Sequence, residues 1–262
     1  MNQKPEQLHE SKIIEQFSLQ AIPFTQVPGH FDALQVLVEL SEVNSEDSVL
    51  DVACGPGMVA CEFAKHSSRV TGIDITPAMV EQAAKRQEEQ KLDNLEWHVG
   101  NAVPLPYADN SFSLVLTRYS FHHLLKPEEA LLEMIRVCRP GGRVMVADVA
   151  VESSKSDAYD KLEILRDSSH THALTKDEFA ALFLTSALTD CRQSAYGVDL
   201  ELETQLKASF PKPADEDVIR QMVTDDVEVD AIGINARKAD GKIVYTVPIA
   251  VYVGGKKHVM EN

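Results

Sequence analysis

The hydrophobic pattern of the chain alternates between short apolar runs and longer amphipathic segments. Five apolar runs of strand length predict β-strands over residues 48–53, 69–73, 95–99, 112–117 and 143–148. Between them, apolar residues recur at helical spacing and predict helices over residues 57–65, 77–90 and 127–138. Pro77 suits the first turn of its helix, where a missing N–H costs little, and Thr76 suits the N-cap. This alternation predicts an α/β fold with a doubly wound, mostly parallel sheet.

The two ends of the chain follow a different pattern. Residues 1–41 are predicted to form a helical lid or cap, with a short amphipathic helix that stops near Pro23 and a second helix over 31–40. A core over residues 42–198 includes later helices at 155–167 and 176–188 and a strand at 190–198. The acidic stretch 199–240 has a helical pattern, and we interpret it as an insertion that shapes a pocket or a dimer contact. Residues 241–262, with a β-rich run at 242–253, would complete the core sheet.

Composition and charge restrict the class of protein. At 262 residues and 44% hydrophobic content, the chain suits one large α/β domain or one domain with a modest cap. Its net charge of −16 repels phosphate backbones and argues against a nucleic-acid partner. The sequence shows no signal-peptide core and no apolar run of membrane-spanning length, so a cytoplasmic protein is expected. The four cysteines form no C-x-x-C pair, which argues against a zinc site or a disulfide framework.

A glycine-rich turn after the first predicted strand carries the clearest chemical signal. Residues 51–57 read Asp-Val-Ala-Cys-Gly-Pro-Gly. A turn of this kind, at the carboxyl end of the first strand of an open α/β sheet, is where nucleotide-like ligands bind. Gly55 and Gly57 lack a Cβ and would let a ligand approach the backbone, and Asp51 would add a carboxylate facing it. A turn that only connects a strand to a helix is the structural alternative.

Three further blocks follow in order along the chain. Residues 70–74, Val-Thr-Gly-Ile-Asp, end a second apolar run in Asp74, an acid that could accept both ribose hydroxyls of a nucleotide-like ligand. Residues 100–102, Gly-Asn-Ala, follow the third predicted strand. Residues 136–144 close a helix with Pro-Gly-Gly and open the fifth strand.

In this order, the four blocks resemble the class I S-adenosylmethionine-dependent methyltransferases, and most closely the subgroup that includes the ubiquinone/menaquinone biosynthesis methyltransferases. The resemblance is strong over residues 48–148 and weaker elsewhere. It implies a seven-stranded, Rossmann-like sheet with an antiparallel last strand and helices on both faces, S-adenosylmethionine as cofactor and S-adenosylhomocysteine as product. In related enzymes the amino-terminal segment often folds over the cofactor as a lid. Here a tail that packs one face on the core is the alternative.

The resemblance also implies roles for individual residues. Asp51 would hold the methionine ammonium group, and Asp74 would bind the ribose diol. Asn101 stands where the family commonly has Asp; its carbonyl oxygen could still accept from the adenine amine, but its NH₂ would need another acceptor. Ala53 replaces a more usual glycine and is tolerable if its φ is negative. The predicted cofactor-binding residues are Asp51, Ala53, Gly55, Gly57, Asp74, Ile75, Met79, Asn101, Ala102 and Arg118.

The segment after the fourth strand carries two candidate catalytic residues, His122 and His123. The carboxyl end of that strand would face the cofactor methyl group, and a neutral imidazole could remove a proton from the acceptor. His123 is the preferred base, and capping of the following loop is the structural alternative. The predicted acceptor-contacting residues are Phe17, Tyr119, His123, Arg166 and His170. A metal site of His170, His172 and Asp167 is a weaker interpretation, since no persuasive third ligand is fixed by the spacing, and no metal is predicted.

The leading hypothesis is therefore a methyltransferase that acts on O, N or C of a small metabolite. One alternative keeps the cofactor as an electrostatic element while the pocket runs another reaction, such as a cyclisation. A second alternative is a non-catalytic subunit that docks a partner through the acidic stretch 199–240. The sequence leaves the acceptor and the oligomeric state open, with a homodimer among the expected assemblies.

Overall fold

The computed structural model describes residues 4–26 and 33–258. Within them, eight strands form one sheet: β1 (Ser48–Val52), β2 (Arg69–Asp74), β3 (Leu95–Val99), β4 (Phe112–Arg118), β5 (Cys138–Val149), β6 (Leu188–Glu201), β7 (Arg237–Ala239) and β8 (Lys242–Lys256). Seven of them follow the order β3-β2-β1-β4-β5-β8-β6, and β7 pairs with β8. Strands β1 to β5 are mutually parallel, and β8 runs antiparallel to its neighbours β5 and β6. The predicted mostly parallel sheet with an antiparallel last strand is confirmed.

Helices cover both faces of this sheet, as predicted. The described helices are α1 (Pro5–Gln20), α2 (Leu34–Ser41), α3 (Met58–Ala64), α4 (Pro77–Gln90), α5 (Pro127–Val137), α6 (Ser156–Arg166), α7 (Lys176–Leu184), α8 (Leu202–Ser209) and α9 (Pro213–Asp225). None of the described helices is both long and apolar enough to cross a membrane.

Strand β4 shows why the sheet needs two helical layers. Every residue of β4 is buried, as expected of a central parallel strand whose side chains alternate between two covered faces. Leu114 and Leu116 pack with Phe63 of α3 and Tyr159 of α6. Val115, between them, packs on the other face with helices α5 and α7. Because β1 to β5 are parallel, the loops that follow them meet along one edge of the sheet.

The predicted boundaries differ from the observed ones mainly after residue 137. Strand β5 starts at Cys138, because Phe112 pairs with Cys138 before a register shift. Strand β6 extends to Glu201, so the first residues of the acidic stretch 199–240 belong to the sheet, and the stretch continues through α8 and α9 to the short strand β7. The predicted start of the helix over 31–40 falls outside the described residues, and α2 begins at Leu34.

Candidate active site

A cavity of about 520 Å³ lies where the loops after the parallel strands meet. We call one part of it the loop end; it is lined by Asp51, Gly55, Asp74 and Asn101, which follow or end β1, β2 and β3. The other part, the far chamber, is lined by Tyr159, Leu200, Gln205, Tyr245 and Ile249, from α6, β6, α8 and β8. Helix α1 forms a further wall through His9, Glu10, Ile13 and Phe17, among others.

The two glycines of the first loop have different surroundings. Gly55 has a φ of +51°, and a Cβ built there would meet no atom within 4 Å, so its backbone borders open space in the cavity. Gly57 has a φ of +75°, but a Cβ there would lie 2.8 Å from both Ala83 of α4 and Trp97 of β3. The structure thus keeps the predicted backbone approach at Gly55, whereas it places Gly57 outside the cavity, where glycine permits close helix–strand packing.

The backbone at Ala53 differs from the conformation that the sequence leads us to expect. Alanine is tolerable at this position if its φ is negative, but φ is +54°. A Cβ in the left-handed region costs about 1–2 kcal/mol, because it lies too close to the following carbonyl oxygen. In the first loop, every second residue from 53 to 57 therefore has a positive φ: Ala53, Gly55 and Gly57. Of these three residues, only Ala53 carries a side chain.

Asp51 is a buried carboxylate without a complete set of partners. It is 1% exposed, lines the cavity, and its Oδ2 has no hydrogen-bond partner among the described residues. Burial raises the pKa of Asp51 to about 8, and the nearby Asp74 carboxylate adds to the effect. A backbone hydrogen bond from Ala60 and the charge of Arg118 oppose this shift only in part. Because an unpaired buried oxygen is costly, Oδ2 is prepared for a cationic hydrogen-bond donor.

Asp74 is fixed by the backbone on both of its oxygens. Its Oδ2 accepts from the Gly55 N–H and its Oδ1 from the Thr76 N–H, each at 2.8 Å. Burial raises the pKa of Asp74, although these two N–H groups oppose the shift. Because each carboxylate oxygen has two lone pairs, Asp74 keeps one acceptor position on each oxygen, and the geometry suits a diol.

Asn101 meets the acceptor that its NH₂ group was expected to need. Its Nδ2 donates to Glu10 Oε1 of α1 at 2.6 Å, and its Oδ1 accepts from the Val103 N–H at 3.2 Å. These two contacts fix which end of the amide is the acceptor. The loop end is thereby connected to α1 by a residue, Glu10, that the sequence did not single out.

His122 is paired with a buried carboxylate. Its Nδ1 lies 2.5 Å from Oδ1 of Asp148, whose two oxygens also accept from the Phe121 and Val149 N–H groups. Burial lowers the pKa of His122, but the charge and hydrogen bond of Asp148 outweigh it and leave that pKa above its ordinary value. The His122 ring lines the cavity, and because Nδ1 points to Asp148, Nε2 is the atom free to exchange a proton.

His123 has the opposite electrostatic setting. Its Nδ1 lies 3.0 Å from the Ser169 hydroxyl, which itself donates to Asp167 Oδ1 at 2.6 Å. Burial, reinforced by the neighbouring His122, lowers the pKa of His123 to about 3, so the ring is neutral at ordinary pH. Its ring is nearly perpendicular to the ring of Phe17 of α1, at a centroid distance of 4.9 Å.

The remaining predicted residues are divided by the structure. Most of them line the cavity: Phe17, Ala53, Ile75, Met79, Ala102, Arg118, Tyr119 and Arg166. His170 does not; it is buried beside the cavity, with Nε2 2.7 Å from Asp160. His172 also contacts Asp160, at 2.6 Å. Within the described ranges, no group of three His, Cys, Asp or Glu residues is arranged to hold a metal ion.

The sequence missed the groups that pair with the candidate residues. Asp148 had the same signal as Asp51 and Asp74, an acid at the end of an apolar strand run, and could have been found by it. Glu10 carries no such signal, since it lies on α1, far along the chain from its partner Asn101.

Comparisons with known proteins agree on the family. Residues 50–146 match a methyltransferase domain. The uncharacterized methyltransferase YcgJ of Bacillus subtilis is 29% identical over 73% of this chain and 75% of its own. The crystal structure of YcgJ superposes with a TM-score of 0.78 at 23% identity, over 87% of this chain and 99% of that one.

Two other relatives differ in how much they share. The uncharacterized protein YafE of Escherichia coli is 30% identical over 69% of this chain and 82% of its own. The ubiquinone/menaquinone biosynthesis C-methyltransferase UbiE of Roseobacter denitrificans is 39% identical, but over only 38% of this chain and 41% of its own. With the domain match and the shared fold, these relatives show that the chain belongs to the class I S-adenosylmethionine-dependent methyltransferases.

Proposed function

We propose that this chain binds S-adenosylmethionine at the loop end and transfers its methyl group to O, N or C of a small molecule held in the far chamber. The buried, unpaired oxygen of Asp51 carries the proposal, because it calls for a cationic donor next to a backbone-fixed Asp74. The residues present fit the cofactor: Asp51 for the ammonium group, Asp74 for the ribose diol, and Asn101 Oδ1 with the apolar Ile75 and Met79 for adenine.

When bound, the cofactor supplies a methyl group on a cationic sulfur to an in-line nucleophile. The chain's own contribution is to align the acceptor and to exclude water. Helix α1 closes one side of the cavity through Phe17 and through two polar contacts, Glu10 to Asn101 and the His9 ring to the His123 carbonyl oxygen at 2.7 Å. We infer that α1 acts as a lid over the bound ligands.

We infer that His122, rather than His123, accepts the acceptor's proton. The sequence alone favours His123, but that ring has a pKa of about 3 and binds protons weakly. Asp148 orients His122 and stabilises its protonated form, which is the arrangement that a general base needs. His123, neutral and held by Ser169, would instead pack beside the acceptor.

We propose that the acceptor is a small molecule and not a nucleic acid. The cavity of about 520 Å³ has the size of a pocket for small ligands, and the net charge of −16 disfavours phosphate backbones.

Calorimetric titration with S-adenosylmethionine and S-adenosylhomocysteine tests the cofactor, with Asp93→Asn, on the exposed surface, as the matched control for Asp51→Asn. We expect binding of both ligands by the native protein and the control, and loss of affinity in Asp51→Asn. A screen for S-adenosylhomocysteine release over small acceptors then tests turnover. Binding of neither ligand would reject the proposal; product formed without methylation would favour the alternative reaction.

Once an acceptor is known, the base is tested by His122→Asn, which we expect to lower kcat by about a hundredfold or more. Because the pKa of His122 is raised, the native rate should increase with pH through a midpoint above 6.5, as the imidazolium loses its proton. Asp148→Asn should move that midpoint down. An unchanged pH profile in Asp148→Asn would remove His122 from this role.

A further inference from the structure

The far chamber contains polar groups of two kinds. The charged ones are neutralised within the fold: Arg166 Nε donates to Glu163 at 3.0 Å, and its Nη1 donates to the Ser209 hydroxyl at 2.9 Å. This ion pair is buried. Arg166 is therefore already neutralised by Glu163 and is not an open cation for an anionic ligand.

The uncharged groups are in the opposite condition. Gln205 is 8% exposed and lines the cavity, and within residues 4–26 and 33–258 neither end of its side-chain amide forms a hydrogen bond; its Oε1 is fully buried. The hydroxyls of Tyr159 and Tyr245, which line the same chamber, also have no partner among the described residues. Because an amide and two hydroxyls can each donate and accept, this result does not depend on which way the amide is turned.

The rest of the chamber wall is aliphatic. Val149, Val198, Leu200, Val247 and Ile249 line it together with the two tyrosine rings. Burial raises the pKa of both Tyr159 and Tyr245, so their hydroxyls stay neutral. Buried polar groups are ordinarily paired, and each unpaired one costs free energy. Gln205 Oε1 is such a buried, unpaired atom. The Tyr159 and Tyr245 hydroxyls, which line the same cavity without a partner among the described residues, can be completed together with the amide by one bound ligand.

The geometry points to an acceptor that is uncharged and mainly apolar, and that presents to Gln205, Tyr159 and Tyr245 a group able both to donate and to accept a hydrogen bond, such as a hydroxyl or an amide. This inference rests on the proposed function for the word acceptor, since it assigns the ligand of the far chamber and leaves the loop end to the cofactor. Anionic acceptors are disfavoured, because Glu163 already neutralises Arg166, and Asp167 leaves the described side chains of this chamber with a negative charge in excess.

The test uses three probes of one shape: para-tert-butylphenol, its methyl ether and para-tert-butylbenzoate. Their affinities are measured by ligand-detected NMR on the full chain with saturating S-adenosylhomocysteine. The phenol should bind about fivefold more tightly than the ether, the value of one neutral hydrogen bond, and the benzoate should bind most weakly. In Gln205→Leu the phenol should lose this advantage, whereas Gln221→Leu, the same change on the exposed face of α9, should keep it.

Thermal unfolding of the ligand-free protein supplies a second readout. Because the Gln205 amide is unpaired, Gln205→Leu should raise Tm; a lower Tm would mean that the fold itself uses the amide, and would overturn the inference. Equal affinity for phenol and ether, tightest binding of the benzoate, or no binding of any probe at millimolar concentration would overturn it as well. Failure of S-adenosylhomocysteine to bind would instead reject the proposed function, and the three probes can still be compared on the free protein.

Discussion

The loop end and the far chamber belong to one cavity but are built by different means. At the loop end, Asp74 and Asn101 are already held by hydrogen bonds from the Gly55, Thr76 and Val103 N–H groups. In the far chamber, Gln205 and the two tyrosine hydroxyls have no such support among the described residues. A preorganised loop end suits one invariant ligand, such as a cofactor. In the far chamber, where polar groups lack partners, specificity depends on the hydrogen-bonding groups of the acceptor.

The largest effect that tests this contrast is expected from Asp74→Ala. The change removes the ribose acceptor and also leaves the Gly55 and Thr76 N–H groups unpaired. Affinity for S-adenosylhomocysteine should fall at least tenfold, roughly 1.4 kcal/mol, in calorimetry. Asp74→Asn keeps an acceptor oxygen and should lose less. Unchanged affinity in both variants would remove Asp74 from ribose binding.

A smaller and reversible effect is expected at Asn101, where the loop end meets α1. Asn101→Asp places a second carboxylate beside Glu10, at the position where the amide now donates at 2.6 Å. We expect S-adenosylhomocysteine affinity to fall by up to about tenfold, because two like charges cannot share that contact. Adding Glu10→Gln should restore the affinity, since a glutamine amide can donate to the new carboxylate.

The matched control for this pair is Glu15→Gln, an exposed glutamate on the same helix. Combined with Asn101→Asp it should restore nothing, since net charge alone is not the cause. Recovery by both second changes would reduce the effect to long-range charge, and no loss in Asn101→Asp would show that Glu10 does not orient the amide.

We expect ligand binding to release a proton from the Asp51 carboxyl group. With a pKa of about 8, its carboxyl is mostly protonated at pH 7 in the free protein. Pairing with an ammonium group favours the ionised form, so binding should release close to one proton at pH 7, and almost none above pH 9. Calorimetry in buffers of different ionisation enthalpy measures this number. Asp51→Asn should abolish the release; proton uptake, or no dependence on the buffer, would contradict the assignment.

The same contrast explains what the sequence could predict. The sequence predicts the loop end, because Asp51, Asp74 and Asn101 lie at the ends of successive strands, and a parallel sheet places the ends of these strands at one edge. The sequence does not predict the far chamber, because Tyr159, Gln205 and Tyr245 come from α6, α8 and β8, and only tertiary packing brings them together. The sequence predicts Phe17 and Arg166 as acceptor-contacting residues but does not predict their partners.

The positive φ of Ala53 could not be predicted from the sequence for a related reason. The sequence of residues 51–57 does not determine the sign of φ at Ala53, because this dihedral angle depends on how the loop crosses the end of β1. The loop end therefore contains one position that the fold strains, inside a region that is otherwise held by hydrogen bonds.

Ala53→Gly should have the smallest effect and act on stability alone. Glycine adopts a φ of +54° without the Cβ penalty of about 1–2 kcal/mol, but it also increases the entropy of the unfolded chain by up to about 1 kcal/mol. We expect the free energy of unfolding in urea to rise by up to about 1 kcal/mol. Ala187→Gly, at an exposed bend without positive φ, should instead lower it slightly. S-adenosylhomocysteine affinity should stay within about twofold in both. If Ala53→Gly destabilises the protein, the loop is not strained at this residue; if it changes ligand affinity much more than stability, the positive φ at Ala53 is part of how the loop end holds its ligand.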